Sequence, residues 1–191
     1  RDEVQHRVRL TRGYWVQERE VTQGDWLRVM GSGLREELEA LLKSEKEVPV
    51  GPIGKGKSLK VRDFFGAKVG DDIGRYVGVE DEGYPMIYVD WDGAMAYCKE
   101  LTRRERDAGR LGAGWRYILP TEAQWERGCR AGTPAPVYPG QMKILGKNHA
   151  PVLDRIAWYG GNSALGYPGS GIHFQGKMLS SAGWTGMAYV G

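Results

Sequence analysis

Cysteine is nearly absent from the 191-residue chain, with Cys98 and Cys129 its only two. Two thiols are too few for a disulfide-built scaffold or for a zinc site made of cysteines. Each follows an apolar residue by four positions, Cys98 after Ala94 and Cys129 after Trp125. That is a helical core spacing, so both are read as buried apolar thiols, with a disulfide between them as the alternative. Histidine is as sparse. His6, His149 and His173 lie far apart and none has a neighbour at ligand spacing, so no histidine metal site is expected. No apolar run approaches membrane-spanning length, and no membrane partner is expected. A strong charge of one sign is missing too. The net charge is +3, and Arg103-Arg104 is interleaved with Glu105 and Asp107, the pattern of a solvated helix face and not of a nucleic-acid stripe. No internal repeat is visible. The first residue is Arg1 rather than methionine, so the sequence reads as a processed chain and leaves localisation open.

What is present points to one irregular domain. Glycine reaches 29 residues, and seven tryptophans and ten tyrosines stand against three phenylalanines. That mixture suits many turns with amphipathic rings at loop bases, and argues against a helical bundle. Alternation predicts strands over His6–Leu10 and Tyr14–Val21. Thr22 caps a short helix over Gln23–Met30, which Gly31-Ser32-Gly33 ends. Leu34, Leu38, Leu41 and Leu42 mark an amphipathic helix, and Val48–Gly83 reads as long surface loops. Pro85–Val89 reads as a short buried strand. Asp90 or Asp92 then caps a helix whose Ala94, Tyr97, Cys98 and Leu101 share a face, stopping near Gly109. Trp115–Leu119 reads as a strand. Thr121 and Gln124 form a capping box that opens a helix ending at Gly132, with Trp125 facing inward. Beyond Gly132 the chain reads as loops.

Four segments resemble the formylglycine-generating enzyme (sulfatase-modifying factor) family. Glu20-Val21-Thr22-Gln23-Gly24-Asp25-Trp26 is similar to its "EVT-x-x-x-Y/W" opening. Val89-Asp90-Trp91-Asp92-Gly93-Ala94, with Ala96-Tyr97-Cys98, resembles "V-S-W-x-D-A-x-A-Y-C". Leu119–Glu126, followed by Arg130-Ala131-Gly132-Thr133, closely matches "R-L-P-T-E-A-E-W-E" and "R-A-G-T". Ala157–Ser163 is similar to the "A-W-Y-x-x-N-S" loop of bacterial members. The resemblance implies an irregular, loop-rich α+β domain related to C-type lectins. Against that pattern the stretch from about 31 to 83 reads as an insertion in a single domain over 1–191. The family's late "G-L-Y-D-M-x-G-N-V-W-E-W" and "R-G-G-S-W" segments do not appear before Gly191. The family's catalytic cysteine pair, which holds copper(I), belongs to that late part, and neither Cys98 nor Cys129 matches it. No copper is therefore expected here.

Two further patterns bear on ligands. Gly51–Ser58 satisfies G-x-x-x-x-G-K-S/T, in which backbone amides cradle phosphates while Lys57 and Ser58 would serve the terminal phosphate and magnesium. A phosphate loop needs a buried strand before it and a helix after it in a parallel sheet, and Pro49 and Pro52 frame only a short, weak strand. A flexible, basic surface loop is the default reading. Asn148 and Asp154 fall near positions where family members bind calcium, for which oxygen ligands are suited; ordinary loop capping is the alternative.

The tail sets Trp158, Tyr159, Asn162, Tyr167, His173 and Trp184 among glycines and serines, as binding surfaces do and as loop-rich folds need for their own packing. The expected function is a non-catalytic ligand-binding module that takes protein or peptide ligands through its C-terminal loops. The resemblance implies several such uses, among them display scaffolds diversified by retroelements. The alternatives are a formylglycine-generating or related oxidase whose cysteine pair lies outside this chain, and a nucleotide-binding domain. The sequence assigns no oligomeric state.

Overall fold

Residues 7–50, 57–64, 72–145, 150–157, 173–174 and 177–178 are described by the structure, a computed structural model. Helix α1 spans Gln23–Met30 and α2 spans Leu34–Lys43. Strands β1 (Glu47–Val50) and β2 (Lys57–Lys60) follow, then the short helices α3 (Val61–Phe64) and α4 (Gly74–Val77). The long helix α5 covers Trp91–Asp107, α6 covers Glu122–Arg130, and a 3-10 turn covers Pro151–Leu153. Two-residue strands β3 (His173–Phe174) and β4 (Lys177–Met178) complete the described elements. The fold thus mixes helix with a little strand. No helix among the described residues is long and apolar enough to cross a membrane.

Helix α1 begins where the sequence says it should. Thr22 Oγ1 accepts from the Asp25 amide at 3.1 Å, and the Asp25 carboxylate accepts from the Thr22 amide at 3.4 Å. This reciprocal box satisfies two of the N–H groups that a helix start leaves unpaired. Gly31 ends the helix at φ 78°, in the left-handed region that costs a glycine nothing. Gln23 then fastens the helix to the following chain: its amide nitrogen donates to the Val79 carbonyl at 2.9 Å, and its oxygen accepts from the Asp81 amide at 3.1 Å.

The core lies in two clusters that share Met86 at their edges. In the first, Trp26 and Val29 of α1 meet Tyr97 of α5. The Trp26 and Tyr97 rings stack with centroids 5.2 Å apart and planes 8° from parallel. In the second, Leu34 and Leu38 of α2 close on Val77 of α4, with Ile73, Ile87 and Tyr88 packed beside them. The two are also joined by Glu37, which accepts from the Trp26 indole N–H at 3.2 Å and from the Ser32 hydroxyl at 2.5 Å.

The stretch read as loops from Val48 to Gly83 carries more structure than expected. β1 and β2 pair antiparallel, with Glu47 opposite Lys60 and Val50 opposite Lys57, and α3 and α4 follow. Each element is only four residues long, too short for a periodic signal. In contrast, the four expected strands are not formed among the described residues. Residues 7–21 hold no strand, because the chain there is exposed and only Thr22 makes a bridge, to Pro85; His6 lies outside the described residues. Pro85–Val89 is half-buried and meets Val21 through the Met86 amide at 2.8 Å. Tyr88, at φ 63°, breaks the extension before a ladder can grow. Over Trp115–Leu119 side chains of α5 replace a partner strand: Thr102 Oγ1 accepts from the Tyr117 amide at 2.9 Å, and Arg106 donates to the Trp115 carbonyl at 3.0 Å.

Candidate functional site

Three of the four sequence motifs fall on helix starts. The first supplies the Thr22 box of α1. The second supplies Asp90, which caps α5 by accepting from the Gly93 amide at 2.8 Å, so Asp90 and not Asp92 is the cap. The third supplies Thr121, whose hydroxyl accepts from the Gln124 amide at 3.3 Å while Gln124 Oε1 accepts from the Thr121 amide at 2.8 Å. These residues set where helices begin. Of the fourth motif only Ala157 is described.

The two cysteines part company. Cys98 is buried on α5, as its spacing predicts, and burial pushes its thiol above the ordinary value. Cys129 is exposed on α6, which corrects the expectation of a buried thiol, and both thiols are free. The cause is the helix that carries Cys129: α6 buries none of its residues. For the same reason Trp125, expected to face inward, is 63% exposed. Its capping box specifies the start of the helix but supplies no neighbour for its apolar side. A copper(I) centre built on two thiolates needs both sulfurs at one place. One sulfur in the core and one at the surface, on different helices, do not fit it. A thiol whose deprotonation is disfavoured is also the reverse of an activated nucleophile.

Tyr97, which neighbours Cys98 on α5, is also shifted. Burial, reinforced by the Asp25 carboxylate, pushes its phenol up to about 12, so it stays protonated and serves as a stacking ring. Among the described residues no group of three or more His, Cys, Asp or Glu side chains is arranged to hold a metal ion. Asp154 is exposed just after the 3-10 turn, its amide donating to the Pro151 carbonyl at 3.3 Å. Asn148 lies outside the described residues. So do Trp158, Tyr159, Asn162, Tyr167 and Trp184, and of His173 only the backbone is described, paired with Met178. Gly51–Gly56 lie outside as well. The residues that flank them, Val50 and Lys57, face each other across an antiparallel pair. Lys57 and Ser58 therefore stand on a returning strand and not at a helix N-terminus, so the context of a phosphate loop is not met here.

Sequence reasoning missed the exposure of several aromatic side chains. Trp15 is 87% exposed, and Trp115, Tyr117, Ile118 and Trp125 are exposed with it. The Tyr14 hydroxyl donates to the Gln124 carbonyl at 2.9 Å, which brings the Tyr14-Trp15 segment against α6. The excess of tryptophan over phenylalanine was the available signal.

The chain matches the Sulfatase-modifying factor enzyme 1-like domain family over residues 1–166. It is similar to two curated relatives, the formylglycine-generating enzymes of Mus musculus and Bos taurus, at 33% identity over 64 residues in each case. Those matches cover 34% of this chain and 13% of each relative. No solved structure matches the chain.

Proposed function

This chain belongs to the Sulfatase-modifying factor enzyme 1-like domain family, and from that premise we propose that it is a non-catalytic ligand-binding module on the family's scaffold. The observation that carries the reading is the separation of the two thiols, Cys98 in the core of α5 and Cys129 at the surface of α6. The ligand is a protein or peptide, taken by the C-terminal residues Trp158, Tyr159, Asn162, Tyr167, His173 and Trp184. Rings with polar tips among glycines and serines support that choice. A C-type-lectin-like arrangement of those loops is part of the same proposal, as is calcium at Asn148 and Asp154, for which oxygen donors are the right chemistry.

A second reading is favoured by the names of the relatives. They are formylglycine-generating enzymes, and this chain matches only 13% of their length. In that reading the chain is a structural portion of an oxidase whose cysteine pair lies outside these residues. The deciding experiment incubates the folded protein with a cysteine-containing sulfatase-type peptide, copper(I) and oxygen, and follows the peptide by mass spectrometry. The binding-module reading expects an unchanged peptide mass. Conversion of the cysteine to formylglycine would overturn it and force Cys98 or Cys129 into catalysis. The ligand class is tested by selecting from a displayed peptide library, with Trp158→Ala and Trp184→Ala expected to abolish capture of the selected peptides.

A further inference from the structure

The stretch Trp115–Leu119 is tied to the rest of the fold along one side. It runs without helix, turn or bend beside α5. Thr102 Oγ1 accepts from the Tyr117 amide, and the Arg106 guanidinium donates to the Trp115 carbonyl. These two contacts fix how the chain lies. Thr102 and Arg106 are one helical step of i, i+4 apart, about 6 Å along the axis. Trp115 and Tyr117 are i, i+2 apart, about 6.6 Å in an extended chain. The match of the two lengths makes the segment an extended strand running antiparallel to α5.

An extended backbone sends the N–H and C=O groups of alternate residues to opposite edges. Trp115 and Tyr117 use the edge that faces α5. Arg116 and Ile118 therefore present theirs on the other edge, and among the described residues no hydrogen bond reaches the backbone of either. The residues from Trp115 to Ile118 are all exposed. An unpaired edge of this kind is a template for a further strand. Trp115 and Tyr117 also share one face of the segment, where aromatic or β-branched cross-strand partners are favoured. The geometry decides between occupants. Alternating amide donors and carbonyl acceptors are matched group for group by another extended polypeptide backbone. A second copy pairing edge to edge would bury too little. The edge is about 17 Å long and one strand, about 5 Å, wide, against the roughly 800 Å² that each partner of a stable dimer buries. A short peptide segment needs no more than this edge offers.

We infer that Trp115–Leu119 is an open strand edge onto which an extended segment of a protein partner adds as a strand. The partner's backbone pairs with the N–H and C=O groups of Arg116 and Ile118. Aromatic or β-branched residues at its alternate positions pack on Trp115 and Tyr117. Pro120, which has no N–H, ends the edge. This site uses none of the C-terminal residues proposed above to hold a ligand, and it does not depend on that reading.

The probe is the acetylated peptide Lys-Thr-Tyr-Thr-Val-Thr-Tyr-Lys, added to the isotope-labelled full chain while amide exchange is followed by NMR. Without peptide the Arg116 and Ile118 amides are expected to exchange freely, and saturating peptide to slow both about tenfold or more. The Tyr117 amide, already bonded to Thr102, is expected to change less. Two backbone-methylated peptides separate strand addition from side-chain contact. N-methyl groups on one alternating set of residues should abolish binding, and on the other set should spare it, because only one edge of the added strand meets the protein. Ile118→Pro removes one edge donor and leaves the Thr102 bond; it is expected to weaken binding about tenfold, with circular dichroism checking the fold. Absence of binding overturns the proposal, as does binding that leaves exchange at Arg116 and Ile118 unchanged or is indifferent to Ile118→Pro. Equal behaviour of the two methylated peptides overturns it too. So does slow exchange of these amides without peptide, which would mean an edge already filled: by a second copy if it depends on protein concentration, by this chain itself if it does not.

Discussion

Helices α1 and α6 open with the same local design and meet opposite fates. Each starts at a threonine in a reciprocal capping box, and each places a tryptophan four residues later: Thr22 with Trp26, Thr121 with Trp125. Trp26 is 3% exposed, whereas Trp125 stands mostly in solvent. The difference lies in the partner. Trp26 finds the Tyr97 ring on α5 and a hydrogen-bond acceptor in Glu37, while the ties of α6 run to backbone carbonyls and to its own Glu126. A cap is written within four residues, but burial depends on what another element brings.

The sharpest way to break this comparison is to truncate both rings. Trp26→Ala removes a buried ring, its stack and a hydrogen bond, and is expected to cost about 3–5 kcal/mol of stability. Trp125→Ala removes an exposed ring and is expected to stay within about 0.5 kcal/mol. Urea denaturation of the two variants measures both. Equal losses would mean that α6 is packed as α1 is, and the contrast would collapse.

The caps themselves should behave alike, and this sharpens the point from the other side. Thr22→Ala and Thr121→Ala each remove a hydroxyl that accepts one amide, worth about 1 kcal/mol to the helix that loses it. For α1 the loss should appear in global stability, since the helix carries the core. For α6 it should appear chiefly as faster amide exchange over Glu122–Arg130, with a smaller change in global stability. A larger global loss from Thr121→Ala than from Thr22→Ala would contradict the assignment of the core to α1 and α5.

The same contrast explains what could be read in advance. Helix starts at Thr22 and Thr121, a start at Asp90 or Asp92, and the stops at Gly31 and Gly109 were legible because they rest on chemistry within one turn of chain. So was the buried face of α5 through Tyr97 and Cys98, where apolar spacing is sustained over a long helix. The strands expected over 6–10, 14–21, 85–89 and 115–119 were not, because an apolar or alternating run reports a strand only if a second strand is there to pair. The Trp115–Ile118 stretch has its backbone bonded by Thr102 and Arg106 instead. As for the candidate site, the separate placement of the two cysteines on α5 and α6 was legible, and the exposure of Cys129 was not. Five of the six C-terminal residues lie outside the described residues, with only the backbone of His173 described, and the structure adds nothing to what their composition suggests.

The smallest expected effect separates the caps by pH. Asp90 caps α5 with a carboxylate, whereas Thr121 caps α6 with a hydroxyl that does not titrate in this range. The Lys46 ammonium bonds the Asp90 carboxylate, and the Gly93 amide donates to it; together these hold the carboxyl below the usual range against the opposing effect of burial. A folded-state pKa below the unfolded one stabilises fully above the unfolded value, about 3.9 for aspartate, and that contribution disappears as pH falls through the folded value. On acidification the first turn of α5 should therefore loosen before that of α6. Lys46→Ala should move the Asp90 midpoint upward, because the largest cause of the shift is removed while the Gly93 amide remains. The NMR titration of the Asp90 side-chain carbonyl reads this directly. Since Lys46 and Asp90 are both partly exposed, the effect on stability should be small and should shrink further with salt. An unmoved midpoint would show that the cap alone sets the titration, and would leave the contact between Lys46 and Asp90 without energetic weight.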